Sequence, residues 1–115
     1  MEKSGKFLIE VDDPMEQIKV HDAVYAYQTY GEGPPVVMLH GFTGTHRTWQ
    51  PFVRMFQDAY RLLLIDLPGH GKTYTETNRT MELLCDDLKT LFDQLGFKKV
   101  HLIGYSMGGR VALSF

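Results

Sequence analysis

The chain has 115 residues, a net charge of −2, 43% hydrophobic and 23% charged residues, which suits one domain with a modest core. It has no clustered Lys/Arg run to suggest nucleic acid or an anionic membrane as a partner. Its longest purely apolar stretches, VVML and LLLI, are far too short to span a bilayer. A single cysteine and an amino terminus without a signal-peptide core lead to the expectation of a cytoplasmic protein, one domain over residues 1–115.

KFLIEV (Lys6 to Val11) and AVYAYQTY (Ala23 to Tyr30) read as antiparallel first strands, with VDDPMEQ as the turn material between them and GEGPP stopping the second. VVMLH (Val36 to His40) is a short continuous apolar run of the kind that forms a strand buried on both faces. THRTWQPFVRMF follows with Trp49, Phe52, Val53 and Phe56 at helical spacing. RLLLID (Arg61 to Asp66) is a second buried run, closed by LPGHG. MELLCDDLKTLFDQLG sets Met81, Leu84, Leu88, Leu91, Phe92 and Leu95 on one stripe near period 3.6, with Gly96 at the helix C-cap. Cys85 on that helix reads as a buried thiol, and Asp86, Asp87 and Asp93 read as solvated. KVHLIG is a third strand, His101 packed within it, and SMGGRVALSF restarts a helix.

Buried runs alternating with amphipathic helices imply right-handed crossovers and a parallel sheet, whose ligands gather at the carboxyl ends of the strands. Those ends carry His40-Gly41-Phe42, Asp66 to Gly71, and Gly104-Tyr105-Ser106-Met107-Gly108. GYSMG matches G-x-S-x-G between a strand and a helix, the setting of a nucleophile elbow. Side chains at 104 and 108 would crowd such a turn, and the strained serine stands beside helix N–H groups that can bind a developing negative charge. An oxyanion hole needs two converging donors; Met107 offers one, and Phe42, in the turn after His40 and Gly41, offers the other.

HGFTG, DLPGHG and GYSMGG, in that order and with strands between, resemble the amino-terminal half of an α/β-hydrolase over essentially the whole chain. HGFTGTHRTW, DLPGHGKT and GYSMGGRVAL are similar, more narrowly, to the 2-succinyl-6-hydroxy-2,4-cyclohexadiene-1-carboxylate synthase family of menaquinone biosynthesis. That resemblance implies a lyase in which a serine triad abstracts a proton and pyruvate is eliminated. It makes Ser106 the triad serine, Phe42 and Met107 the oxyanion donors, and Tyr105 and Arg110 residues of a carboxylate-binding substrate site. A guanidinium suits a carboxylate through two parallel hydrogen bonds; the alternative for Arg110 is a solvated helix residue. No cofactor or metal is expected.

In that family the acid and histidine of the triad follow later strands, and this sequence ends nine residues after Ser106. The expectation is therefore a partial domain truncated after the elbow, nearly inert as a monomer, with its last strand a sheet edge open to self-association or to a missing carboxyl-terminal half. His40 and His70 lie at the correct edge but read as structural, as does Asp66; His21 and His46 suggest no role. Other readings are a carboxylesterase or carbon–carbon hydrolase, and a non-catalytic binding module. PGHGKT ends like a phosphate-binding loop, but Asp66 stands where that motif needs glycine.

Overall fold

A computed structural model describes residues 14–115. The strand expected at Lys6 to Val11 lies outside the described residues. The first described strand, β1 (Glu16–Val20), pairs antiparallel with β2 (Ala23–Tyr30), Val20 opposite Ala23. Glu16 and Gln17, expected in a turn, are therefore strand residues. The turn is the two-residue His21-Asp22, with His21 at φ 56°, the left-handed conformation that two-residue hairpins favour. The sequence concealed this because neither residue is glycine or asparagine.

β3 (Pro35–Leu39), β4 (Arg61–Ile65) and β6 (His101–Gly104) run parallel, in the sheet order β1-β2-β4-β3-β6, and the short β5 (Tyr74–Thr75) pairs with β2. Residues 74 and 75, between the LPGHG turn and the next helix, thus form a strand. β3 and β4 are buried on both faces, as their apolar runs predict. Val37, Leu39, Leu63 and Ile65 face a large core, and Val36, Met38, Leu62 and Leu64 face a smaller one with Val53. That split is the period of two expected of a strand. β6 ends the strand order; its His101 and Ile103 are exposed, so the expectation that His101 is packed is not met.

The segment after β3 begins as a 3-10 helix (His46–Phe52), capped by the Thr45 side chain, and becomes α-helical only in α1 (Val53–Phe56). Pro51 inside the first part lacks the N–H that a continuing helix would use. α2 (Met81–Gln94) starts on the Thr80 hydroxyl, which accepts from the Leu83 amide. It ends in a Schellman motif: Phe97 N–H donates to Phe92 O, Gly96 N–H to Asp93 O, and Gly96 has φ 78°. Leu84, Leu88, Leu91 and Phe92 of α2 and Val111 of α3 (Met107–Ser114) cover the larger core. Cys85 is only partly buried rather than a core thiol. Among the described residues no helix is long and apolar enough to cross a membrane.

Candidate active site

Leu39 pairs in register with both Ile65 and Gly104, so the loops after β3, β4 and β6 leave the sheet at one level. This is the convergence expected when the three motifs follow parallel strands. At the β6 exit Ser106 has φ 55° and ψ −113°, a strained conformation for a residue with a side chain, costing about 1–3 kcal/mol. Neighbouring backbone holds it. Tyr105 N–H donates to Leu39 O at 3.1 Å, Gly108 N–H to Tyr105 O at 2.9 Å, and Arg110 N–H to Ser106 O at 3.1 Å. A Cβ at residue 104 would stand 2.3 Å from the Gly108 carbonyl oxygen, and one at 108 only 2.1 Å from that of Leu39. Glycine at both positions is a steric requirement of the turn.

Gly41 lies against the serine; a Cβ there would be 3.3 Å from Ser106 Cβ and 3.0 Å from the Tyr105 ring. The structure thus brings His40-Gly41-Phe42 beside the elbow. Phe42, Tyr105 and Ser106 are exposed, Met107 is partly buried and Arg110 is exposed. The Phe42 and Met107 amides donate to no acceptor among the described residues, the condition required of oxyanion donors. Among the same residues no hydrogen bond joins Ser106 to a histidine, and the Arg110 side chain has no partner.

His40 and His70 are occupied elsewhere. Fully buried His40 accepts from Leu67 N–H on Nε2 at 2.9 Å, which puts its proton on Nδ1, 2.7 Å from Gly41 O. Burial chiefly, with His70 and His46 nearby, holds His40 below the ordinary histidine value, against the opposing pull of the Gly41 carbonyl and Asp66. His70 accepts from Thr43 N–H at 3.1 Å and donates to Pro68 O at 3.0 Å. Asp66, fully buried, accepts from the His46 and Lys72 amides and lies 2.8 Å from His46 Nδ1. Thr73 donates to Asp66 O and accepts from Ala26 N–H, which removes it from any phosphate site.

Asp87 is the main correction. Expected in solvent, it is buried, accepting from the Tyr25 hydroxyl at 2.6 Å, Arg79 Nε at 2.7 Å and His21 Nδ1 at 2.9 Å. Arg79 also pairs with Asp22, which lowers the Asp22 carboxyl below its usual range and raises the guanidinium. Burial first, then Asp87, pushes the Tyr25 phenol up. A signal was present: Asp87 falls on the stripe of Leu84, Leu88 and Leu91, where a solvated acid does not belong. His46 offered no comparable sign, because its partner is twenty residues away.

Residues 34–115 match the model of the alpha/beta hydrolase fold family. A Bacillus subtilis protein provisionally named 2-succinyl-6-hydroxy-2,4-cyclohexadiene-1-carboxylate synthase is 46% identical over 105 residues, covering 85% of this chain and 38% of that protein. A Klebsiella pneumoniae 2-hydroxy-6-oxononadienedioate/2-hydroxy-6-oxononatrienedioate hydrolase is 36% identical, over 97% of this chain and 39% of its own length. Among solved structures, an epoxide hydrolase from Vigna radiata superposes with a TM-score of 0.79 at 28% identity, over 85% of this chain and 33% of that one. The chain thus spans well under half the length of these relatives.

Proposed function

The chain belongs to the α/β-hydrolase fold family, and on that footing we propose that it carries the serine and oxyanion elements of a synthase-type lyase. In this reading Ser106 takes part in removing a proton from a carboxylate-bearing carbocyclic substrate. The electron pair left behind forms a double bond as the bond to the pyruvate-forming group breaks, and that group takes up a proton in turn to leave as pyruvate. Phe42 and Met107 N–H groups stabilise the developing oxyanion, Arg110 binds a substrate carboxylate through its fork of donors, and Tyr105 lines the site. The observation that carries the proposal is Ser106 at φ 55°, ψ −113° on the strand-to-helix turn, with Gly41 packed against it. The 46% identity to the Bacillus subtilis protein supports the synthase assignment over other chemistries of the fold. Ser106 has no histidine partner among the described residues, so the isolated chain is proposed to be nearly inert, since loss of a triad histidine costs on the order of 10⁶ in turnover.

The likeness to the Klebsiella pneumoniae hydrolase favours a second reading, hydrolysis of a carbon–carbon bond or an ester. One chimera separates the two: residues 1–115 joined to the carboxyl-terminal remainder of the Bacillus subtilis relative. Pyruvate release from the synthase substrate, abolished by Ser106→Ala, is the expected result. Turnover of aryl esters or ring-fission products without pyruvate release would move the assignment to the hydrolase. A folded chimera inactive in both assays would leave a binding module as the surviving reading.

A further inference from the structure

Thr43 sits next to the proposed oxyanion donor Phe42 and has φ 67°, a left-handed conformation that a β-branched residue rarely adopts. Such a residue persists only where its surroundings over-determine it. On one side the Gly44 amide closes a turn onto Gly41 O at 3.0 Å. On the other, the Thr43 amide donates to His70 Nε2 at 3.1 Å across 27 residues of sequence. His70 Nδ1 lies 3.0 Å from Pro68 O. A backbone N–H can only donate and a carbonyl can only accept, so the ring must carry its proton on Nδ1 and leave Nε2 bare. The ring also meets the edge of the Phe42 ring, with centroids 5.7 Å apart, and stands 5.0 Å from the ring of His40. Two of its contacts therefore fall on the Phe42-Thr43 pair, and a third anchors it to the loop after β4.

We propose that His70 is a positioning residue for the oxyanion loop: as the Nδ1–H tautomer it accepts from Thr43 and thereby holds the Phe42 N–H in place for an anion. This rests on the reading of Phe42 as an oxyanion donor. The role is specific to one nitrogen. A glutamine amide can present an acceptor near the place of Nε2, whereas an asparagine reaches only as far as Nδ1.

The test uses the ¹⁵N-labelled chain and its His70→Gln and His70→Asn variants, with methylphosphonate as the probe anion. In the wild type, His70 should show a protonated Nδ1 and a bare, hydrogen-bonded Nε2. Thr43 amide exchange should be roughly tenfold faster in His70→Asn, near the loss expected for one hydrogen bond, and close to wild type in His70→Gln. The Leu67 amide, held by His40, should be unchanged in both and so report that the fold is intact. Methylphosphonate should shift the Phe42 amide in the wild type and in His70→Gln, with a midpoint roughly tenfold higher in His70→Asn. Equal Thr43 exchange in all three proteins, or equal loss in both variants, would overturn the positioning role. A normal exchange pattern with no Phe42 response to the anion, even in the wild type, would instead sink the oxyanion reading.

Discussion

The α-carbon of Gly108 faces the carbonyl of Leu39 so closely that a Cβ at 108 would lie 2.1 Å from that oxygen. Helix α3 is seated directly on the end of β3, and this seating aims Ser106. Because the obstructing atom is backbone, no side chain can rotate away to make room. Gly108→Ala should lower stability by about 1–3 kcal/mol, the usual range for overpacking, read from urea midpoints. Gly109→Ala is the control, since a Cβ there meets nothing closer than 3.5 Å; an equal loss in both variants would argue against the seating.

Asp87 joins β2, α2 and the turn between β1 and β2 through Tyr25, Arg79 and His21. Removing its carboxylate takes the Nε partner from a guanidinium whose side chain is only 5% exposed and which keeps Asp22, and it leaves the buried Tyr25 hydroxyl without its acceptor. Asp87→Ala should therefore cost about 3 kcal/mol or more. Tyr25→Phe, which removes one hydrogen bond to a charged group, should cost about 1.5–3 kcal/mol. Chemical denaturation of both, with the double variant, checks this. The two losses should not add, because the residues share one network.

Much of this was legible in the residues. VVMLH and RLLLID run as continuous apolar segments because β3 and β4 are covered on both faces, and G-x-S-x-G with its flanking elements located the Ser106 turn. What escaped the sequence is what depends on distant partners. Asp87 looks like its neighbours Asp86 and Asp93 until Tyr25 and Arg79 are brought to it from outside the helix. His21-Asp22 forms a two-residue hairpin without glycine or asparagine, with Arg79 holding Asp22 and Asp87 holding His21. His101 sits in a strand pattern, yet a pattern does not say which strand lies at the sheet edge.

His40 provides a pH dependence with a defined sign. Its folded value is held below the ordinary histidine value of about 6.5, so between the two values the unfolded chain binds more protons than the folded one. Stability then rises with pH across that window and falls as pH drops below about 6.5. Urea midpoints between pH 8 and pH 5 should decline, and His40→Gln should flatten the decline while retaining an acceptor for Leu67 N–H. An unchanged slope in that variant would assign the effect to another group. Asp22 adds a separate loss at lower pH, where protonation removes its pairing with Arg79.

β6 lies at the end of the strand order, with Ile103 38% exposed beside an apolar groove that includes Met38, Phe56 and Tyr60. An open apolar edge is a template for pairing. We propose self-association through it, so the sedimentation-average mass should rise with concentration, and Ile103→Lys should hold the chain monomeric. A compact monomer at every concentration would contradict this.

Reactivity of Ser106 separates a formed elbow from an activated one. Fluorophosphonates label serines whose hydroxyl is activated by a base, and Ser106 has no histidine partner among the described residues. An intact mass spectrum of the 13.2 kDa chain should therefore show almost no adduct after treatment, whereas the chimera should be labelled and lose its label in Ser106→Ala. The oxyanion donors alone can support only a small residual reactivity, since they stabilise an anion but take no proton from the nucleophile. An adduct on the isolated chain, absent in Ser106→Ala, would overturn its inertness. It would place the base in His40, His70 or a second copy of the chain, and single substitutions at the two histidines would then distinguish the three.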